Sequence, residues 1–282
     1  MVIKLPETMG ANSLVFCVKG KGPKGRPIDA VIKVSLQGTW INTDQITTLN
    51  QIISRNNIGP FIYSEQTHEY GSDEYLLSIV MSARIIPFEQ FRWTSVSQKK
   101  RAVVSLMEKV FKLHQCGFVH NDLKYENFGM TPNGEVYIFD FDNFDKVTAT
   151  KCSVDLSSSL CHPPTELRTD YIKAKLGNRI VDLFPAIACT IGDIIGVKFW
   201  QFTNEQLAEK SNCLAKFNRG KTYFWIQHNL SKKIRGYTFT KEPFWYAFTN
   251  LVHLILKEVS IRTRKSFYRR ANVLIKRMSA HL

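Results

Sequence analysis

Two acidic residues, an amide and an amine fall within one short stretch of the chain. Asp122, Lys124 and Asn127 share a loop that follows a predicted helix, and Asp140 comes after a turn predicted at residues 132–134. A hairpin at this turn would bring Asp140 back towards Asp122. Such a set suits phosphoryl transfer, which is catalysed mainly by positioning and by neutralising the charge of the phosphates. One carboxylate could orient an attacking hydroxyl, while the second joins the amide on a metal ion.

The flanking segments predict the elements that position this loop. Before it, apolar residues between Ser97 and His114 recur at helical spacing with Lys and Arg on the opposite side, which indicates a long helix with one buried face. After it, the segment EVYIFDF at 135–141 predicts the second strand of the hairpin. The loop would therefore be held between a helix and a hairpin.

The first eighty residues predict a small sheet with one helix. Residues 14–19 and 29–36 read as two strands joined by a Gly/Pro/Lys-rich turn, and residues 61–66 and 74–81 predict two more strands. Between these pairs, residues 43–55 carry apolar side chains at helical spacing behind a candidate cap, Thr43. Because the later part of the chain has mostly helical patterns, we expect an α+β protein.

The composition bounds the class of the protein. A chain of 282 residues buries a sizeable core without staples, and the six cysteines are dispersed with no CxxC pair. The sequence has no signal peptide and no apolar stretch long enough to span a membrane, which predicts an intracellular, cytoplasmic protein. The net charge of +14 attracts acidic proteins, nucleic acid or anionic membranes without choosing among them. Basic clusters at 19–26 and 262–277 are the candidate docking surfaces.

The stretch at 113–144 resembles the catalytic segment of eukaryotic-type protein kinases, whose patterns are H-R-D-L-x-x-x-N and D-F-G. HNDLKYEN at 120–127 and DFD at 140–142 match these patterns in order and in separation. The resemblance implies that Asp122 is the catalytic base and that Lys124 is a cation on the phosphate side. It further implies that Asn127 and Asp140 bind Mg²⁺, with Mn²⁺ as an alternative, and that ATP is the co-substrate.

The same resemblance implies a bilobal protein-kinase-like fold. A small β-rich N-lobe with one helix would comprise residues 1–81, a hinge residues 82–86, and a larger α-helical C-lobe residues 87–282, all within one kinase domain. The glycine-poor N-lobe and the HND variant resemble divergent kinases of large DNA viruses or of intracellular bacteria. Such an origin would place the protein in a host-cell compartment.

Nucleotide-binding residues also follow from the resemblance. The segment AVIK at 30–33 is similar to the V-A-I-K strand of the family, so Val31 and Lys33 are expected at the nucleotide, with Lys33 on the α- and β-phosphates. The phosphate-covering loop would precede Val15, but it keeps only Gly10 of three expected glycines, which predicts looser cover of the phosphates. The hinge MSAR adds the expected adenine-side residues Met81, Ser82 and Ala83.

The most serious departure from the family is a missing glutamate in the first helix. That glutamate pairs with the strand lysine in kinases, yet no Glu occurs between Lys33 and Glu65, and Asp44 is the only acid in the interval. Asp44 could reach Lys33 after a helix shift, a polar side chain could orient the lysine, or the pair could be absent. The polar candidates are Gln45, Thr48 and Gln51.

Other departures concern regulation and architecture. Asn121 replaces the arginine that clamps a phosphorylated activation loop in many kinases, so loop phosphorylation is not expected to be the main switch. Asp142 replaces the glycine of D-F-G and adds negative charge beside the expected metal site. Glu166 is expected to pair with an arginine near the C-terminus, and Asp182 is expected to be a buried structural acid.

The sequence as a whole predicts a Ser/Thr protein kinase acting on protein substrates, with acidic ones favoured by its charge. The resemblance implies, through Lys124 two residues after the acid, Ser/Thr protein substrates rather than small molecules. A pseudokinase that binds nucleotide or serves as a scaffold is the alternative, because the glycine loop is poor and the helix glutamate is missing. A phosphotransferase acting on a small molecule or lipid is a third interpretation, and the basic clusters are compatible with binding to nucleic acid.

Overall fold

The computed structural model describes residues 2–3, 8–9, 13–21, 27–38, 43–70, 75–131, 134–152, 163, 165–187, 194 and 242–282. Across these ranges the chain has a sheet-rich N-terminal part and a helical C-terminal part, as the sequence pattern predicts. None of the helices in these ranges is both long and apolar enough to cross a membrane.

The N-terminal part is an antiparallel sheet with the strand order β1, β3, β4, β6, β5 and with β2 paired to β3. Residues that lie opposite each other on paired strands have side chains on the same face, so the register decides which residues can meet a ligand. The strands are β1 (Val2–Ile3), β2 (Thr8–Met9), β3 (Ser13–Lys21), β4 (Pro27–Gly38), β5 (Ile62–Tyr70) and β6 (Tyr75–Ala83).

Helix α1 (Thr43–Arg55) lies beside β5. Leu49 and Ile53, one turn apart on one face of the helix, are both buried in the core. The turn after α1 passes through Gly59 and reaches the hairpin described below, where the N–H of Ile138 donates to the carbonyl of Ile58 at 3.0 Å. The helix therefore connects the sheet to the part of the chain that carries the candidate acids.

The C-terminal part combines short strands with helices. Strand β7 pairs with β9 and β9 with β10, while β8 pairs with β11. The bounds are β7 (Ile86–Pro87), α2 (Val96–Gln115), β8 (Phe118–Val119), β9 (Phe128–Met130), β10 (Val136–Ile138), β11 (Asp145–Lys146), α3 (Thr165–Lys173), α4 (Ile180–Pro185), α5 (Pro243–Leu256) and α6 (Arg264–Ser279).

Helix α2 precedes the candidate catalytic loop in the chain. The hydroxyl of Ser95 accepts the N–H of Gln98 at 3.1 Å and caps the helix, whose apolar face is buried in the core as the periodicity predicts. Beyond the last turn, Gly117 has φ of 94°, a left-handed conformation that glycine adopts at helix ends without steric cost. This turn directs the chain into β8 and the loop that follows.

Asp182, in α4, braces the candidate catalytic loop. It is fully buried in α4, and its carboxylate accepts the backbone N–H groups of His120 at 2.8 Å and Asn121 at 3.0 Å. The Nε2 atom of His114 lies 2.9 Å from the same carboxylate and joins it to α2. The buried structural acid that the sequence predicts at this position is therefore present, and it ties α2, α4 and the loop together.

The turn before α4 anchors the segment after β11. The N–H of Thr148 donates to Oδ1 of Asn178 at 2.9 Å, and Nδ2 of Asn178 donates to the carbonyl of Lys146 at 3.0 Å. Gly177 has φ of 55°, and a Cβ at this position would overlap the carbonyl oxygen of Thr148. The backbones can pack this closely only because residue 177 has no side chain.

The expected ion pair between Glu166 and a C-terminal arginine is not formed in the described part of the chain. Glu166 is exposed in the first turn of α3, whereas Arg262 and Arg270 both contact Glu258, with Nη2 of Arg262 at 2.8 Å. The prediction was wrong because the arginines find an acid four and twelve residues away in the turn between α5 and α6. The other basic side chains of this cluster are exposed on α6: Arg264, Lys265, Arg269, Lys276 and Arg277.

The bracing role of Asp182 predicts a large stability cost for Asp182→Asn. The amide replaces one acceptor oxygen by a donor that faces backbone N–H groups, so we expect the free energy of unfolding to fall by about 2–4 kcal/mol. Chemical denaturation measures this change. Glu166→Gln, at an exposed acid, is the control and should stay within about 0.5 kcal/mol of the natural chain. Equal stability of the two variants would contradict the bracing role.

The close approach at Gly177 can be tested with two alanine substitutions. Gly177→Ala combines a left-handed backbone with an overlap against Thr148, so we expect it to lower the free energy of unfolding by about 2 kcal/mol or more. Gly117→Ala shares the left-handed backbone but has no neighbouring atom within 4 Å, and should cost about 1 kcal/mol. Thermal or chemical unfolding compares them, and equal losses would rule out the close approach as the cause.

Candidate active site

Asp122 has a buried carboxylate in which one oxygen accepts hydrogen bonds and the other has no hydrogen-bond partner in the described chain. Only 5% of the residue is exposed, and its Oδ2 atom accepts from Nζ of Lys124 at 2.9 Å and from Nδ2 of Asn127 at 3.3 Å. Its Oδ1 atom is buried without a hydrogen-bond partner in the described chain. Because an unpaired buried acceptor is costly, this oxygen is a ready acceptor for a hydroxyl or water that enters the site.

The charge state of this pair follows from its surroundings. Burial raises the pKa of Asp122 above its ordinary value, although the hydrogen bond and charge of Lys124 act in the opposite direction. For Lys124, burial acts to lower the pKa, but the hydrogen bond and charge of Asp122, with the charge of Asp140, raise it overall. Lys124 therefore stays protonated within the field of both acids.

The hairpin brings Asp140 into the same site, as the spacing predicts. Strands β9 and β10 pair with Phe128 opposite Ile138, so the end of β10 returns to the start of β9 beside Asn127. The backbone closes this connection, since the N–H of Phe139 donates to the carbonyl of Asn127 at 3.1 Å. This hydrogen bond holds Phe139, the residue before Asp140, and so limits where Asp140 can lie.

His120 links the two loops and fixes its own tautomer. Its Nε2 lies 3.0 Å from the carbonyl of Phe139, which can only accept, so Nε2 carries the proton. Its Nδ1 accepts the N–H of Asp122 at 3.3 Å, and its ring lies 4.7 Å from that of Phe141. The sequence motif includes this histidine but does not show its role: in the structure it holds the backbone of Asp122 and the carbonyl of the residue before Asp140.

Two non-glycine residues at the site have left-handed backbones. Asn121 has φ of 66° and Asp140 has φ of 64°, a conformation in which Asn and Asp are enriched but which still costs energy. The Asp182 carboxylate holds the first, through the N–H of Asn121. At Asp140 the left-handed backbone turns the chain, and the carboxylate of this residue faces Lys33. Strain of this kind persists only where the surroundings determine the backbone.

Lys33 extends from β4 to two acids on the loop after the hairpin. Its Nζ forms a hydrogen bond and ion pair with Oδ1 of Asp140, and it lies 2.7 Å from Oδ2 of Asp142. Burial acts to lower the pKa of Lys33, but the charges of both acids raise it overall. Burial likewise acts to raise the pKa of Asp140, and the charge and hydrogen bond of Lys33 lower it overall.

The ion pairs with Asp140 and Asp142 identify two groups that orient Lys33 in the absence of a helix glutamate. Of the polar candidates on α1, Thr48 and Gln51 are exposed, and the side chains of Asp44 and Gln45 lie outside the described residues. Asn50 lines the cleft beside Lys33, and its Nδ2 donates to Oε1 of Glu65 at 2.8 Å. The carboxylates that contact Lys33 in the described chain come from the loop.

The sheet register separates the expected nucleotide contacts into two faces. Val15 lies opposite Lys33 and Val31 lies opposite Ser82, so these four residues share a face of the sheet, and Lys33 and Ser82 line the cleft. The remaining residues of the hinge set, Met81 and Ala83, alternate to the other face. Gly10 lies outside the described residues.

The register therefore brings Ser82, rather than Met81, to the side of Lys33. Period-two alternation along β6 fixes this, because Val80 pairs with Lys33 and Ser82 follows two residues later. The face on which each side chain lies depends on its pairing partner, which a linear pattern does not record.

The acids and the amide offer oxygen ligands of the kind that Mg²⁺ prefers. The carbonyl of Asp122 accepts from Nδ2 of Asn127 at 2.8 Å, which leaves the amide oxygen of Asn127 for another partner. In the described ranges no group of three His, Cys, Asp or Glu side chains forms a metal cage. One carboxylate and one amide oxygen, completed by phosphate and water, fit the way in which Mg²⁺ is usually bound with nucleotides.

Comparison with known proteins establishes the fold. No protein-family model and no curated protein sequence matches this chain. Among solved structures, the chain is similar to the Cydia pomonella Granulovirus kinase PK-1, with a TM-score of 0.58 and 13% sequence identity. The similarity covers 96% of this chain and 92% of that one. At this identity the likeness shows the fold alone: this chain has a protein-kinase-like fold.

Proposed function

We propose that this chain is a protein kinase that transfers the γ-phosphate of ATP to Ser or Thr hydroxyls of protein substrates. The observation that carries the proposal is the unpaired Oδ1 of buried Asp122, whose other oxygen Lys124 holds. The protein-kinase-like fold supports it. On this proposal residues 1–81 are the N-lobe, residues 82–86 the hinge and residues 87–282 the C-lobe, with the nucleotide between the lobes.

Asp122 is the base in the transfer step. Its Oδ1 accepts the hydrogen bond of the substrate hydroxyl, orients the oxygen towards the γ-phosphate and takes the proton as the new P–O bond forms and the bond from the γ-phosphorus to the ADP oxygen breaks, so that ADP leaves. Burial, which raises the pKa of Asp122, makes its carboxylate a stronger base than an exposed one. Lys124 fixes the carboxylate through Oδ2 and adds positive charge on the phosphate side.

Asn127 and Asp140 are the proposed metal ligands. When bound there, Mg²⁺ neutralises charge on the phosphates. Asn127 is held in place by the carbonyl of Asp122, and Asp140 by the hairpin that ends beside Asn127. Lys33 supplies a second cation from the sheet side, and the apolar side chains of Val15 and Val31 lie on the face that the base would contact.

Two features favour protein substrates. The Asp122–Lys124 pair has the spacing that the resemblance associates with Ser/Thr protein kinases. The net charge of +14, with five basic side chains exposed on α6, would raise the association rate of acidic proteins.

A nucleotide-binding scaffold without transferase activity is the alternative. The observation that favours it is the direct ion pair of Lys33 with Asp140, because the ammonium group competes with a metal ion for that carboxylate. Binding of Mg²⁺ and ATP without transfer to any protein would support the scaffold.

The proposed roles predict different defects for two isosteric substitutions. Asp122→Asn removes the base, so we expect transfer to fall by about 10³-fold while ATP binding stays within twofold. Asp140→Asn removes a metal ligand, so we expect both transfer and binding of the metal–nucleotide complex to weaken. Phosphate transfer from radiolabelled ATP and a thermal-shift titration with ATP and Mg²⁺ measure the two properties.

Asp145→Asn is the matched control for both variants. Asp145 is an exposed acid on β11, close in sequence to the site, and its loss should leave transfer and binding unchanged. Comparable residual transfer in the Asp122 and Asp140 variants, with equal nucleotide affinity, would contradict the assigned roles.

A further inference from the structure

Asp142 contacts Lys33 although it stands where the kinase pattern has a glycine. Its Oδ2 lies 2.7 Å from Nζ of Lys33, and the two side chains are 31% and 23% exposed, which places the pair partly out of water. Both residues line the same cleft between the sheet and the loop. An ion pair that is partly desolvated is stronger than one at the surface, so this contact can hold a side chain in place.

The backbone around Asp142 is braced on both sides. On one side, Asp140 is fixed by the hairpin and has a left-handed conformation. On the other, Nδ2 of Asn121 donates to the carbonyl of Asn143 at 3.0 Å, and the N–H of Phe144 donates to the carbonyl of Phe141 at 3.2 Å. The carboxylate of Asp142 is therefore presented from a turn tied to the catalytic loop.

Lys33 needs such a fixed partner. A lysine side chain is long and flexible, and its amine reaches a phosphate reproducibly only if a neighbouring group limits its rotamers. Asp140 touches Lys33 too, but in the proposed function that carboxylate is a metal ligand. Of the two carboxylates that contact Lys33 in the described part of the chain, Asp142 is the one that the proposed function does not assign to the metal.

We infer that Asp142 is the positioning residue for Lys33 and supplies a carboxylate in place of the glutamate that α1 lacks. The inference rests on the proposed function for its purpose, while the contact itself stands independently of it. In this arrangement the loop after the hairpin, rather than the helix, sets the position of the lysine. The acid acts through Lys33 and does not touch the reacting atoms.

A double-mutant cycle on nucleotide binding tests this inference. The variants are Asp142→Asn, Lys33→Met and their combination, with Asp145→Asn as the control for loss of one negative charge on the same segment. The probes are ADP with Mg²⁺, which has the α- and β-phosphates, and adenosine, which has none. Binding is measured by calorimetry, so the result does not depend on phosphate transfer.

The expected result is coupling between positions 33 and 142. Asp142→Asn should weaken ADP about 3–10-fold when Lys33 is present and should not weaken it in the Lys33→Met chain. Adenosine affinity should be unchanged throughout, and Asp142→Glu should restore part of the ADP affinity. Equal losses with and without Lys33 would overturn the inference, because Asp142 would then act on the metal or on folding. Unchanged ADP affinity in Asp142→Asn would also overturn it.

A ligand-free measurement separates this inference from the proposed function. In the chain without nucleotide, acetylation of the Lys33 amine, followed by peptide mass spectrometry, should be several-fold faster in Asp142→Asn than in Asp145→Asn. Equal rates would overturn the inference, because Asp142 would then add no restraint on the lysine beyond that of Asp140. A chain that shows both the faster labelling and the coupling but transfers no phosphate would retain the inference and lose the proposed function.

Discussion

The negative charges of three neighbouring carboxylates are balanced by two ammonium groups, and the arrangement of the site depends on that balance. Asp122, Asp140 and Asp142 all lie within reach of an ammonium group, Lys124 for the first and Lys33 for the other two. Like charges that are partly desolvated repel strongly, so both lysines stabilise the arrangement. Because Lys33 belongs to the sheet and the acids belong to the loops, this balance also ties the two parts of the chain together.

The loops themselves are held by neutral hydrogen bonds and one buried charge. Asp182 receives two backbone N–H groups and His114, and it fixes the loop of Asp122 from the side of α4. His120 joins that loop to the residue before Asp140 with a defined tautomer. Burial keeps water from competing with these bonds, so the carboxylates that face the cleft are set on a rigid base.

The position of Lys33 has a consequence for control of the site. In protein kinases generally, the placement of the first helix decides whether the lysine–glutamate pair is formed. Here the carboxylates in contact with Lys33 come from the loop after the hairpin, and the described polar candidates on α1 are exposed. On the proposed function, the conformation of the loop after the hairpin would set the position of the lysine.

The sequence alone determined the local features: the α2 periodicity, the hairpin that returns Asp140 to Asp122, and the motif spacing that indicates phosphoryl transfer. These depend on neighbours along the chain, which a linear pattern records. Only the tertiary structure decided which acid meets Lys33, which face of β6 carries Ser82, and that Glu258 rather than Glu166 takes the C-terminal arginines. Each of these depends on strand register or on contacts between residues far apart in sequence. Several side chains of one charge type compete for such a contact, and geometry selects among them.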